Sequence, residues 1–209
     1  MDLPKSTVVN RFIPKDKFYN KTKLNTKIKQ LFTDEIEKIT WLNKIAPDTL
    51  NISAKKYNEL QVFEIKLKSD EINPIVLKHI DASIPYPILY LIKKNNMQKA
   101  LIFYKDITVS NETKVIVGAY YETGWVKDIK LELKGRNVDE IYKNFFFQIA
   151  PTINTENSNS IKNAVESDIQ RKKIQKQIDS LNRKIFNEPA FAKRQDMARQ
   201  RYDLEEQLK

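Results

Sequence analysis

Residues 60–69, Leu60-Gln61-Val62-Phe63-Glu64-Ile65-Lys66-Leu67-Lys68-Ser69, alternate two kinds of chemistry with a period of two. Successive side chains of an extended chain leave opposite faces, so Phe63, Ile65 and Leu67 fall together while Val62, Glu64, Lys66 and Lys68 fall on the other side. A helix would scatter both sets around its circumference. The segment is expected to be a half-buried strand, and the rest of the chain must supply its neighbours and the cover for its apolar face.

The apolar positions Leu24, Ile28, Leu31, Phe32, Ile36, Ile39 and Leu42 recur at three and four, which predicts one helix or two abutting ones over 23–44. Ala46-Pro47 ends it. Residues 49–53 and 60–68 then read as an antiparallel hairpin. Asn73-Pro74 opens a short helix through Ile80. Four strands are expected at 88–93, 99–107, 114–121 and 125–133, with turns at 94–96 and 110–112, before a helix over 138–148. The expected class is α+β: a mainly antiparallel sheet with three flanking helices in the order helix, two strands, helix, four strands, helix, followed by a C-terminal helical hairpin or coiled coil. In domain terms, 1–21 is a basic extended arm, 22–150 the α+β domain, 151–160 a polar linker and 161–209 the helical arm. Within that arm, Ile174, Ile178, Leu181 and Ile185 form a narrow apolar seam suited to partner docking or self-association.

Charge is unevenly placed. Residues 1–31 hold eight Lys/Arg against two Asp/Glu and residues 161–209 twelve against eight, whereas 32–160 hold seventeen of each. The whole net charge of +10 therefore sits in the two ends around a neutral middle. Arg11, Lys15, Lys17, Tyr19, Lys21 and Lys23, with Phe12 and Phe18 between them, are the cations and aromatics expected of an arm that neutralises phosphates. A lysine-rich surface without a partner is the plainer account of the same residues.

The sharpest chemical hypothesis is the series Pro47-Asp48, then Glu64-Ile65-Lys66. With the hairpin turn near residue 56, Asp48 would lie opposite Ile65 and beside Glu64 and Lys66. Two carboxylates there could hold Mg²⁺ or Mn²⁺ while the lysine activates water, as in a metal-dependent nuclease of the restriction-endonuclease-like superfamily. A one-residue register slip separates the three, and lysines on that face also suit an ordinary solvated edge. Outside that case no cofactor is expected.

Other classes fall away. With no cysteine and His79 as the only histidine, disulfides, thiolate zinc and histidine-rich metal sites are excluded. Gly118, Gly124 and Gly135 are the only glycines, so no phosphate-cradling loop or dinucleotide fingerprint exists. No run of about eighteen apolar residues and no apolar leader segment is present, from which a cytoplasmic protein is expected. Tyr86, Tyr90, Phe103, Tyr104, Tyr120, Tyr121 and Trp125 either stack bases or pack the sheet, and the usual burial of aromatics favours packing.

Several pieces together carry a resemblance: Leu3-Pro4-Lys5-Ser6-Thr7, Ile13-Pro14-Lys15, Lys17-Phe18-Tyr19, residues 36–44 and 61–68, Ile80-Asp81 with Ile84-Pro85-Tyr86-Pro87-Ile88-Leu89, Leu133-Lys134-Gly135 and Asp139-Glu140-Ile141-Tyr142. Over nearly its whole length the chain resembles an uncharacterised bacterial family known only as a domain of unknown function. Its members are encoded beside helicase and DNA methyltransferase genes resembling type III restriction-modification and phage-defence islands. What the resemblance implies is an accessory, partner-docking subunit of such a system, with a helicase or DNA methyltransferase as partner and nucleic acid met through the basic ends. It supplies no catalytic residues, so the nuclease alternative with Asp48, Glu64 and Lys66 stays open at this point. The segment Phe186-Asn187-Glu188-Pro189-Ala190-Phe191 departs from the more continuous helix of that family.

Overall fold

The computed structural model describes residues 1–19, 25–109, 113–153 and 160–208, which form two compact units, Met1–Asn154 and Thr155–Lys209. Unit one is an α+β body. Its strands β1 (Val8–Phe12), β2 (Ile36–Ile45), β3 (Leu60–Leu67), β4 (Ile88–Lys94), β5 (Met97–Val109) and β6 (Thr113–Glu122) form one sheet in sequence order. Every neighbouring pair is antiparallel except β3 and β4, which run parallel. A parallel pair requires a crossover, and α4 (Pro74–Ala82) supplies it. Its N-terminus is set by Asn73, whose side chain accepts from Ile75 N at 3.1 Å, with Pro74 in the first turn.

The sheet is covered on both faces. Phe63, Ile65 and Leu67 of β3 join Ile88, Tyr90 and Ile92 of β4 in one core with Phe32, Val76, Leu77 and Ile80. Phe32 comes from α2 (Thr26–Glu35) and the last three from α4, so these helices form one layer. The opposite alternation, Leu60, Val62, Leu89, Leu91, Ala100 and Ile102, is buried as well. There α5 (Val138–Ile149) packs over β5 and β6, with Phe146 edge-on to Tyr121 at 5.2 Å. Val62, expected on the charged face, is accordingly buried. Only Glu64 and Lys66 keep that side of β3 in contact with water.

The expected class holds, and four elements within it differ. Residues 36–45 are strand β2, not the continuation of a helix. The register shifts between Ile36 and Lys38 and again between Trp41 and Asn43. Each bulge adds one residue to the period of two, so apolar positions fall three apart and imitate a helix. Residues 8–12, within the expected basic extended arm, are edge strand β1 on β2. Residues 47–50 form the single turn α3 (Pro47–Leu50) rather than opening a strand: Thr49 Oγ1 accepts from Ala46 N at 3.0 Å, and Asn51 closes the turn in the left-handed region at φ 52°. The true antiparallel partner of β3 is therefore β2. Finally, residues 125–133 contribute one bridge, Gln98 to Val126, and no strand.

In unit two, α6 (Ile161–Asn187) is capped by Ser160, which accepts from Asn163 N at 3.2 Å, and α7 (Phe191–Glu206) packs back along it. The turn 94–96 is present, with Asn95 at φ 51°. The expected turn at 110–112 and most of the expected linker, 154–159, lie outside the described residues.

Candidate nucleic-acid interface

One row of side chains crosses three strands. Arg11 of β1 pairs with Trp41 of β2, and Trp41 pairs with Phe63 of β3. Directly opposed residues share a face, so a guanidinium, an indole and a phenyl ring stand side by side. Irregular geometry puts Arg11 there: Asn10 at φ 47° breaks the alternation of β1 between its pairings at Val8 and Arg11.

Above this row lies a half-open cavity of about 680 Å³. Its remaining walls include Phe18 from α1 (Asp16–Tyr19), Gln61 from β3 and the segment 83–86 between α4 and β4, with Lys17 beside Phe18. The volume is in the range of small-ligand sites, roughly 300–1,000 Å³. Trp41 Nε1 donates to Asn43 O at 2.8 Å, so the indole's donor is already used and its ring is what it offers.

The 83–86 wall is held from inside the protein. Lys105, wholly buried on β5, directs its ammonium at the carbonyls of Asp81 (2.8 Å), Ile84 (3.0 Å) and Tyr86 (2.5 Å) and against the Asp81 carboxylate. The Lys105 ammonium and, beside it, the buried Tyr90 hydroxyl favour the ionised form of the buried Asp81 carboxyl. Burial pushes the Asp81 carboxyl up to about 6 despite the pull of Lys105, and burial lowers the Lys105 ammonium. The backbone of Lys105 is gripped too: its N–H donates to Tyr142 Oη at 3.0 Å and its carbonyl accepts from Tyr57 Oη at 2.6 Å.

Of the expected phosphate contacts, Arg11 and Lys17 come together at the cavity, and neither has an ion pair with a described residue. Lys15 is occupied differently. Its ammonium donates to Ile36 O, pinning residues 13–17 to the start of β2, and burial lowers its pKa, with Lys68 nearby adding to the effect. Lys21 and Lys23 lie outside the described residues, as does the side chain of Tyr19.

The register removes the geometry that joined Asp48, Glu64 and Lys66. Ile39, not Asp48, is opposite Ile65. Asp48 sits in α3 against Lys44 at 2.7 Å, which holds its carboxyl below the usual value. Glu64 pairs with Lys93 at 2.7 Å and Lys66 with Glu37 at 2.8 Å. Each charge thus has a different partner, and among the described residues no group of three acidic or histidine side chains could hold a metal ion. His79 is half-buried, and desolvation lowers its pKa, with Lys78 adding to the effect.

In the helical unit, Ile178 is buried and Ile174, Leu181 and Ile185 are half-buried, with Leu181 and Leu204 lining one groove between the helices. Of the seam expected to bind a partner, Leu181 is thus shared with α7. Among the exposed apolar groups of this unit, which include Ile169 and Tyr202, Phe186 and Phe191 are 89% and 72% exposed on either side of the turn. Of the strand aromatics, Tyr90, Phe103 and Tyr121 are packed, as the usual burial of such residues suggests, while Tyr86 reaches the cavity. Trp41 was missed at the sequence level because residues 36–45 imitate a helix. An aromatic at the next alternate position after Ile39, in a β-branched run, is the signal that would have placed it.

Fold and cavity together define an α+β protein with a basic, aromatic-lined recess beside one sheet edge. The chain belongs to the family described as a domain of unknown function (DUF4391), whose model matches residues 1–208. No curated protein and no solved structure matches it.

Proposed function

We propose that the protein is a non-catalytic accessory subunit of a bacterial DNA-processing or antiviral system of restriction-modification type, meeting nucleic acid through its basic ends and docking on a helicase or DNA methyltransferase in the cytoplasm. The observation that carries this is the pair Arg11 and Lys17, two cations free of ion pairs with described residues beside the exposed Phe12 and the half-buried Trp41 and Tyr86, within an end of the chain that holds +6 of the net charge. Cations placed this way neutralise phosphates and release counterions. Support for an accessory role comes from the strand register, which puts Ile39 and not Asp48 opposite Ile65, with Asp48 in α3 against Lys44. Phe186 and Phe191 give the helical unit an exposed apolar tip suited to a partner's pocket. The genes that neighbour the family imply which partners those are. Among the described residues no helix is long and apolar enough to cross a membrane.

The test is fluorescence anisotropy with labelled single-stranded and duplex DNA and RNA across a salt series, in the presence of Mg²⁺ or Mn²⁺. Binding is expected to weaken steeply with salt, and Arg11→Ala and Lys17→Ala should each reduce the log–log slope by about 0.7 on a single strand. The label should remain on intact oligonucleotide throughout. Salt-insensitive or absent binding rejects nucleic acid as a partner. Metal-dependent cleavage that vanishes in Glu64→Ala would instead make the protein an enzyme.

A further inference from the structure

Resting on that function and specifying its site, we infer that the cavity over the Arg11–Trp41–Phe63 row accommodates one unpaired nucleobase of a single strand, with Arg11 and Lys17 on the adjoining phosphates. Four features converge on this occupant. The lining includes Phe12, 56% exposed, and the half-buried Trp41 and Tyr86, together with the buried rings of Phe18 and Phe63, and a base is the flat, polarisable group that aromatic surface holds through stacking. Because the Trp41 indole N–H is spent on Asn43 O, that residue contributes stacking surface and not a donor.

Next to the rings stand two cations without partners among the described residues, so the ligand is anionic where it leaves the cavity. An uncharged apolar molecule would leave both unanswered. Third, two uncharged polar side chains line the recess: Ser83, whose Oγ donates to His79 O at 2.8 Å, and Gln61, 7% exposed, whose Nε2 donates to Glu59. The amide orientation fixed by Glu59 leaves Oε1 as an acceptor suited to a base edge. Finally, a space of about 680 Å³ admits a nucleotide but not a base pair stacked within a duplex, so entry requires a base that is already unpaired. The Lys105 ammonium holds the Ile84 and Tyr86 carbonyls, so the wall facing Trp41 is set before any ligand arrives.

The chemistry recognised, a heteroaromatic ring carrying phosphate, is shared by a strand and a free nucleotide, and the titration separates them. In a Trp125→Phe protein Trp41 is the only tryptophan, and its emission is followed while oligo(dT), a duplex of equal length and thymidine monophosphate are added in turn, with anisotropy recorded on the same labelled oligonucleotides. Oligo(dT) is expected to quench Trp41, the duplex to leave it unchanged, and the monophosphate to bind at least a hundredfold more weakly than the strand. Binding of the monophosphate as tightly as the strand overturns the strand as the occupant.

Trp41→Ala should weaken oligo(dT) binding by tenfold or more while changing duplex binding less than twofold. Trp41 also packs on the core, so Tyr86→Leu, which keeps apolar bulk and removes a ring face, provides a second variant with the same expected direction and a smaller size. Salt-dependent anisotropy with a silent Trp41, and oligo(dT) affinity unaltered in Tyr86→Leu, overturns the cavity assignment and leaves the proposed function standing. Absence of any oligonucleotide binding overturns both.

Discussion

Lys105→Met is expected to destabilise the folded protein by about 3–5 kcal/mol, measured by urea unfolding, because it leaves the Asp81 carboxylate buried without its counter-charge. Domains of this size have roughly 5–15 kcal/mol in total, so the variant should be marginal at 37 °C. Methionine approximates the volume of lysine, so the loss reports charge and hydrogen bonds more than a cavity. Asp81→Leu should cost less, since the stranded ammonium keeps the carbonyls of Asp81 (now Leu), Ile84 and Tyr86 as acceptors. Combined, the two substitutions remove both charges. The double variant is expected to recover part of the loss and to fall below the native protein by about 1–3 kcal/mol, the cost of the carbonyls left unpaired. If the two losses simply add, Asp81 and Lys105 do not act as a pair and the account of the loop's anchorage is wrong.

The pH dependence gives the same pair a second signature. Burial raises the Asp81 carboxyl from 3.8 to about 6. Between those values the folded chain binds more protons through this group than the unfolded chain does, so its contribution to stability declines as pH rises from about 4 to about 6. The double variant lacks that decline. Its stability relative to the native protein should therefore rise across this window, against a background of carboxylates such as Glu71, lowered by its hydrogen bonds to Lys99 and Trp125, that gain stability as pH rises.

How far the sequence foretold this molecule depends on whether a local pattern survived its tertiary context. Strand β3 was legible because its alternation of apolar and charged residues is unbroken from Phe63 to Lys68. Strand β2, with comparable apolar content, was not, since two bulges converted a period of two into spacings of three. That error cascaded: with 36–45 assigned to a helix, β3 had to find its partner in 49–53, and only that mistaken hairpin brought Asp48 to Glu64. Capping was more dependable, as at Asn73, where the side chain and the following proline act through neighbours in sequence alone.

The candidate site divides along the same line. Arg11 and Lys17 were visible as charges near aromatics, but their meeting with Trp41 and Tyr86 depends on strand order and on a crossover loop, neither of which has a local signal. Lys105 was hidden most completely. In Leu101-Ile102-Phe103-Tyr104-Lys105-Asp106 it resembles the solvent-facing lysine of any strand, and its burial follows from the loop that returns over it after α4. A single lysine within so apolar a run is the one hint available.

Gly135→Ala is expected to cost about 2–4 kcal/mol, well beyond an ordinary loop substitution, with Gly124→Ala nearly neutral as its control. Gly135 has φ +144°, a conformation L side chains rarely adopt, and an added Cβ would meet Ile141 N at 2.7 Å and Glu140 C at 3.0 Å. Both are backbone atoms in the first turns of α5, where the chain has no flexible end to move aside. At Gly124 a Cβ meets nothing within 4 Å. The same helix start is held by Asn137, which accepts from Glu140 N at 2.9 Å, and by the Asp139 carboxylate, which accepts from Lys55 N and Lys56 N at 2.9 Å each. Relief of the clash must therefore tilt α5 against those bonds, carrying Tyr142 away from the Lys105 N–H it accepts. Urea unfolding of the two alanine variants reads the cost, and near-ultraviolet circular dichroism reads the displaced tyrosines. Equal stability of Gly135→Ala and Gly124→Ala would mean that α5 is not locked at its first turn, and Lys105 would then owe its position to Tyr57 and to the Asp81, Ile84 and Tyr86 contacts without help from α5.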